Sequence, residues 1–589
     1  MSERVQAERQ MLLDAQGKGV GPKLAVYTRL SGPGWLQSAI TLGGGSLSGA
    51  LFLGVLGGTD MLWLQLMAIV MGVVMLSAIS YVTLSTGRRP FGMINEHINP
   101  ALGWSWLMAT ITANIIWCMP QFALCFEALE KNLVGFGNTP EYKAAVEGGS
   151  KMYGYKIGIS GLFFALAGVL VYLNSQKGVA AKIFDWALKI MVAIVVISFF
   201  GVVVMLTLDG KIDWAAVLGG FVPDLSQLSS ATGSVGDKVA GFPQQVGEFW
   251  NSRMAGSQRT VMIGAAATAV GINMTFLLPY SMLARGWDKP FRGLAKFDLS
   301  TGMAIPYILV TSCVVIAAGT MFHGQIDEQL ESNDPTVMKT SAVYGGASPH
   351  LMARIETLDV ETNRKLTEDQ QQAIAALSLS EKEALIALLP VAEKEAAASL
   401  VKRNAFALSK SLAPLLGERT ANIVFGIGVL GMGFSSIIIL MLINGYAFCE
   451  MVGKDQGGTP HIVGCLVAGL MGACWWLFWD GDAKMWLAIL VSAFGMMLLP
   501  IAYVTFMMMM NSSKILGDDR PQGRSRWTWN ILMGVSVLGA IGAALTAILD
   551  KAGHPVAGPV VAGVGMILVT LVLAGFLFEP RLKGGTKED

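Results

Sequence analysis

Residues 31–54 read SGPGWLQSAITLGGGSLSGALFLG. The stretch is apolar enough to enter a bilayer, yet Gly43-Gly44-Gly45, followed by Ser46 and Ser48, stand at its centre. A glycine inside a helix costs about 1 kcal/mol relative to alanine. Non-helical backbone at membrane depth persists only inside protein or beside a water-filled cavity, because hydrocarbon offers no partner to a freed N–H or C=O. Two readings fit the glycines: a small-residue seam for close helix packing, or an unwound segment lining a binding site.

The rest of the chain agrees with a membrane setting. Of its 589 residues 53% are hydrophobic and only 14% charged, where a soluble domain has about 25% charged. Mean hydropathy is +0.55, and several apolar runs reach the ~20 residues that cross a bilayer as a helix. A polytopic, all-α membrane protein is expected, with the lipid bilayer as its first partner. The net charge of +1 gives no electrostatic basis for binding nucleic acid. The six cysteines lie in apolar runs with no C-x-x-C pair, so they read as small packing residues rather than a disulfide framework or zinc site. No cleaved signal peptide is expected at the N-terminus. The GGGS tract lacks the lysine of a P-loop, no nucleophile–histidine–acid constellation is visible, and neither an enzyme nor a resident cofactor is expected.

Apolar runs and their breakers predict twelve spans: 35–56, 60–85, 103–129, 157–175, 183–207, 260–284, 298–322, 420–448, 461–479, 485–511, 529–550 and 555–578. Lys and Arg concentrate after the second span (Arg88, Arg89), between the sixth and seventh (Arg285, Lys289, Arg292, Lys296) and between the tenth and eleventh (Lys514, Arg520, Arg524, Arg526). The positive-inside rule puts these loops and both termini in the cytoplasm, in a protein integral to a membrane, expected to be the bacterial inner membrane. Residues 1–34 and 579–589 then form cytoplasmic ends, 208–259 an extracytoplasmic loop, and 323–419 an extracytoplasmic helical insertion. The segment 378–412 of that insertion reads as amphipathic helix interrupted at Pro390, its charges forming a solvated face.

The sixth span repeats the anomaly of the first. In AAATAVGINMTFLLPYSMLARGW, residues 265–287, Gly271, Asn273, Thr275 and Pro279 interrupt the apolar run, and proline removes a donor and disfavours the bond to the residue four before it. Interrupted segments at corresponding places in two halves mark the midplane site of a secondary transporter. Five spans separate the two. The halves, 35–207 and 260–511 with 512–528 a loop and 529–578 two added helices, therefore have opposite orientation, which resembles the LeuT-like 5+5 inverted repeat of the APC superfamily. The predicted substrate-binding residues are Gly43, Gly44, Gly45, Ser46, Ser48, Gly271, Asn273, Met274 and Thr275, beside half-helix ends whose carbonyls suit cations and whose N–H groups suit anions.

The order of motifs resembles that of a divergent member of the Nramp divalent-metal transporters. Gly32-Pro33-Gly34-Trp35-Leu36 is similar to the family's G-P-G-F-L, and Gly43-Gly44-Gly45-Ser46 falls where the family has Asp-Pro-Gly-Asn. Met274 falls at the methionine of M-P-H, Gly433-Phe434-Ser435-Ser436 at G-Q-S-S, and residues 490–518 resemble the family's tenth helix. The resemblance implies a divalent cation of the Mn²⁺/Fe²⁺/Mg²⁺ class moved by alternating access, with Met274 and Ser46 as metal contacts. A thioether favours soft transition metals. The departures are equally specific: Gly43 and Ser46 replace the family's Asp and Asn, Thr275-Phe276 its Pro-His, Phe434 and Ala493 its two glutamines. The carboxylates Glu127, Asp185, Asp298 and Glu450 fall near span ends. Glu127 is the candidate for proton coupling, and Asn114 and Gln121 are further buried polar candidates. Two alternatives remain open: a same-fold transporter of a small organic solute with the metal site lost, and a transport-dead receptor or scaffold working through 323–419.

Overall fold

The computed structural model describes residues 3–16, 18–175, 179–401, 403, 409, 413, 417–479 and 485–552. Helices account for nearly all regular structure there, with one isolated bridge between Leu358 and Lys365. Two helices, Glu3–Gln16 and Val20–Leu30, precede the first span. Helix 1 is broken into helix 1a, Pro33–Thr41, and helix 1b, Gly44–Gly57, bent by 51°. Helix 2 is Leu62–Thr86, and helix 3 is Pro100–Glu127, prolonged by a π-helical turn over Ala128–Leu133. Helices 4 and 5 are Tyr153–Ser175 and Val179–Leu208. Helix 6 is divided into helix 6a, Gln244–Ala269, and helix 6b, Ile272–Ala284. Helix 7 runs from Arg292–Leu299 through a π-helical Ser300–Ala304 to Ile305–Phe322. Helices 8, 10 and 11 are Glu418–Met451, Met485–Asn511 and Gly523–Ala552. Helix 9, Gly458–Ala473, is a shorter apolar helix that ends in a 3-10 turn at Trp475–Leu477. The expected twelfth span, 555–578, lies outside the described residues.

Burial separates the helices by role. Within the apolar window of helix 6, 94% of residues are buried, against 22% in helix 4 and 33% in helices 5 and 11. The broken helix is thus wrapped by protein, while 4, 5 and 11 offer apolar side chains outward, as lipid-facing helices do. Helix 1b packs on 6a and 7, and helix 3 packs on 8, 9 and 10, enclosing both breaks. The Lys/Arg-rich loops share one face. Lys289 and Arg292, from the 6–7 loop and the start of helix 7, pair with Asp519 of the 10–11 loop at 2.6 and 3.2 Å, and Arg89 pairs with Glu450 and Asp455 at 3.2 and 2.7 Å.

Two expectations need correction. Helix 6 does not begin near residue 260: its polar first turns, QQVGEFWNSRMAGSQRT, carry it back to Gln244, through sequence expected to be loop. Nor is the insertion's charge run wholly solvated. Pro390 does separate two helices, Leu379–Ala387 and Val391–Ser399. Yet Glu393 is buried, its Oε2 accepting both Trp250 Nε1 of helix 6a and Arg354 Nε at 2.7 Å. Arg354 is fully buried and also donates to Leu358 O at 2.8 Å and Asn363 Oδ1 at 2.7 Å. Lys394 is buried as well, donating to the carbonyls of Ser332 and Ala387 at 2.8 and 3.0 Å. Buried charges are retained only when paired and hydrogen-bonded. This cluster docks the insertion onto the protruding part of helix 6a.

Candidate functional site

The break in helix 1 is two residues long. Leu42 (φ −87°, ψ 35°) and Gly43 (φ −84°, ψ −178°) leave the helical region, and Gly44 already opens helix 1b. The freed groups find side chains. Ser435 and Ser436 of helix 8 both donate to Ala39 O, at 3.0 and 3.1 Å. Ser46 donates to Thr41 O. Gly44 N–H donates to Gln121 Oε1 of helix 3 at 2.9 Å. The helix 8 hydroxyls, the Gln121 amide and helix 1b's own Ser46 thus replace the bonds that a continuous helix would make, as the bilayer interior requires.

Each of the three glycines also meets a close neighbour. A Cβ on Gly43 would run into Ser436 Oγ, one on Gly44 into the Leu124 methyl, and one on Gly45 would lie 2.5 Å from Thr268 Cγ2. Both sequence readings therefore apply: Gly43 belongs to the unwound backbone, and all three let helices 3, 6a and 8 approach.

Helix 6 breaks at Val270 (φ −145°, ψ 106°) and Gly271 (φ −84°, ψ 165°). Asn273 and Thr275, expected among the interruptions, are helical, and Pro279 is accommodated inside helix 6b, which continues to Ala284. Gly271 allows the backbone to pass Trp117, whose ring would lie 2.7 Å from a Cβ there. Trp117 is fixed from the other side by its Nε1 donating to Val491 O at 2.9 Å.

Beside the break in helix 1, and reaching helix 6 only at Thr268, lies a cavity of about 20 Å³, enough for roughly one water-sized particle. Its lining includes Gly43, Gly45, Ser46, Gln121, Thr268 and Ser492, and no lining residue ionises. Of the predicted residues, Gly43, Gly45 and Ser46 line it. Gly44 sits behind them against Leu124, and Ser48 is one turn deeper, donating to Gly44 O at 2.7 Å. Gly271, Asn273, Met274 and Thr275 are buried next to helix 1a but are not on the lining. Met274 Sδ accepts from Thr41 Oγ1 at 3.6 Å, and its carbonyl from Gln37 Nε2 at 3.2 Å. Thr275 Oγ1 accepts from Trp106 Nε1 at 3.0 Å, and Asn273 Oδ1 from Met274 N–H at 2.9 Å. Glu127 is buried where helix 3 passes into its π-helical turn and is not on the lining. Asn114 is buried, and the Asp185 side chain lies outside the described residues.

Thr268 and Ser492 are lining residues that sequence reasoning missed. A lone hydroxyl in an apolar helix gives no signal of its own, since it satisfies itself on the preceding turn, as Ser492 does on Ala488 O at 2.6 Å. Among the described residues no group of three or more His, Cys, Asp or Glu is placed to hold a metal ion. Beyond Met274, along helix 6b toward the basic loops, Phe276 stacks on Tyr280 at 4.3 Å and meets Trp106 at 4.7 Å, with Tyr446 6.2 Å from Tyr280. This aromatic column fills that direction.

The family model for Nramp, described as natural resistance-associated macrophage protein-like, matches residues 34–353 and 382–550, which include both breaks and helices 2 to 11. The chain belongs to the Nramp family. Outside the match of this Nramp chain lie 1–33, 551–589 and one internal stretch, 354–381, which begins at the buried Arg354. A search of curated proteins finds no match. Among solved structures, a crystal structure of the Eremococcus coleocola manganese transporter with an aromatic bis-isothiourea substituted compound is similar at 11% identity. Its TM-score is 0.58, with 95% of this chain and 94% of that one covered. Two mutants of the same transporter are similar at 11% identity and TM-score 0.53, over 94% of this chain and 93% of theirs. These likenesses show the LeuT-like fold of this Nramp protein.

Proposed function

We propose that the protein is a secondary transporter moving a divalent metal cation of the Mn²⁺/Fe²⁺/Mg²⁺ class by alternating access, through the site between the breaks of helices 1 and 6. The observation that carries this reading is the pair of breaks itself: helix 1 bends by 51° at Gly43, helix 6 opens at Gly271, and a small, largely apolar cavity with a few hydroxyl and amide groups lies in the buried interior beside the helix 1 break, reaching helix 6a at Thr268. Family membership and the manganese transporters of like fold support the substrate class. The donor set is all neutral oxygen from hydroxyls, the Gln121 amide and backbone. Such a set cannot offset complete dehydration of a divalent ion, so the ion keeps part of its water shell, and the site is weaker and less selective than a carboxylate site. Gly43, Gly45, Ser46 and Gln121 are the proposed contacts, with Met274 reached once its bond to Thr41 is given up.

The two inverted repeats, 35–207 and 260–511, would rock about this site. The basic loops and both termini face the cytoplasm, and the membrane is a bacterial inner membrane, a reading supported by the Lys/Arg bias of one face. Uptake of Mn²⁺, Fe²⁺ and Mg²⁺ into proteoliposomes tests the proposal, with an amino-acid panel alongside. Accumulation of at least one metal, with competition among them, is the expected result. If no metal enters or competes, the metal reading is wrong, and uptake from the panel would assign an organic solute instead.

A further inference from the structure

Asp298, in helix 7, is 1% exposed and takes no part in the cavity. Its Oδ2 accepts Gly34 N–H at 2.6 Å, its Oδ1 accepts Gly32 N–H at 3.1 Å, and Ser31 Oγ also donates to Oδ1. These donors belong to the first turn of helix 1a and the two residues before it, where a helix leaves its N–H groups unpaired. A carboxylate there gains from charge-assisted hydrogen bonds and from the helix dipole together. The contact is also close in shape. A Cβ on Gly34 would run into the Asp298 carbonyl, and one on Gly302 would lie 3.2 Å from Gly34 C and Trp35 N. Gly302 sits in the π-helical turn Ser300–Ala304, against which helix 1a packs. Helix 1a is nine residues long, joined to helix 1b by a two-residue break, so its orientation depends on what holds its far end.

We infer that Asp298 is a positioning residue that clamps helix 1a to helix 7 and sets the balance between the closed form and one in which helix 1a swings away on the basic-loop face. The carboxylate is suited to this because every group it meets on helix 1a is a donor. Asparagine keeps the shape but turns an N–H₂ toward one of those donors, so one hydrogen bond is replaced by a repulsive contact. The inference rests on the transporter reading only for the meaning of the swing; the clamp itself is read without substrate.

The test is a distance measurement by pulsed electron paramagnetic resonance on the full chain in lipid, with spin labels at two exposed positions. These are Leu24 in the helix preceding helix 1a and Trp527 at the start of helix 11, each replaced by cysteine. The wild-type background should give one dominant distance. Asp298→Asn should add a second, longer population, with the open-to-closed ratio raised about tenfold, as expected for loss of one hydrogen bond to a charged group. Gly302→Ala should raise the same population by wedging the interface while keeping the carboxylate's charge, its Cβ lying 3.2 Å from Gly34 C and 3.3 Å from Asp298 Oδ1, and it serves if the Asp298 variant fails to fold. In uptake assays the Asp298 variant should change maximal rate and apparent affinity unequally. Distributions unchanged in both variants would overturn the clamp. Absence of metal uptake in the wild type, with the distance shift intact, would overturn the proposed substrate and leave the clamp standing.

Discussion

The side-chain carbonyl of Gln121 accepts the backbone N–H of Gly44 at 2.9 Å, so a residue of helix 3 caps the second half of helix 1. Replacing a cap by alanine costs about 1 kcal/mol, and Gln121→Ala should lower thermal stability by roughly that amount and reduce uptake. Gln121→Glu should keep the cap, place a negative charge beside the helix N-terminus and raise divalent-metal affinity. Melting curves and metal titrations on the two variants check both outcomes; equal metal affinity in the wild type and the glutamate variant would count against a cation site here.

Gly44 and Gly45 should respond differently to enlargement. A Cβ at Gly44 meets the end of the Leu124 side chain, which can turn aside. At Gly45 it meets Thr268 across the cavity. Gly44→Ala should keep most transport, while Gly45→Val should abolish it and still insert into the membrane. Comparing uptake with surface-labelled or membrane-fraction protein separates these effects. Normal transport in Gly45→Val would mean that the cavity is not on the substrate path.

The Arg354–Glu393 pair predicts an asymmetric mutational pattern. Glu393→Ala leaves a fully buried guanidinium without its carboxylate, a change that costs about 3–5 kcal/mol. The double change Arg354→Met with Glu393→Leu removes both charges and should cost less than the single change, the remaining loss of about 1–3 kcal/mol coming from Trp250 Nε1, which is left without its acceptor. Thermal melting of the single and double variants decides the matter. A single variant as stable as wild type would show that the insertion does not depend on this pair.

His323 follows the last residue of helix 7, and its Nδ1 donates to Val55 O at 3.1 Å, which fixes the proton on that nitrogen. Burial holds its pKa below the ordinary imidazole value, with Lys238 acting in the same direction and the Val55 carbonyl and Asp60 opposing. The unfolded chain therefore binds the proton more readily. This contribution to stability is complete above about pH 6.5 and is lost as the pH falls through the lowered value. Melting temperature should drop as the pH falls below about 6.5, and His323→Gln should flatten that segment of the profile. Parallel profiles would assign the acid sensitivity elsewhere.

The two breaks were legible because Gly43 and Gly271 stand in runs otherwise long and apolar enough to span. Their extent was not. Gly44, Gly45, Asn273 and Thr275 are all weak helix formers, yet neighbouring side chains hold them in helical geometry. The start of helix 6 was hidden because hydropathy locates the part of a helix that lipid or protein covers. The polar turns from Gln244 onward protrude beyond it and are stabilised instead by the insertion through Trp250. The site was only half legible. Gly43, Gly45 and Ser46 belong to a visible motif, whereas Thr268 and Ser492 reach the cavity only through the packing of helices 6a and 10. Met274 shows the reverse: its position in the motif says nothing about Thr41, which engages its sulfur.

From Trp250 to the break at Val270, helix 6a is a stiff rod of about 30 Å. One end is gripped by Glu393 of the insertion; the other abuts the break at Val270 and Gly271. Such a rod would serve as a tiller: any tilt of the insertion would be delivered at the break, where a Cβ on Gly271 would already lie 2.7 Å from the Trp117 ring.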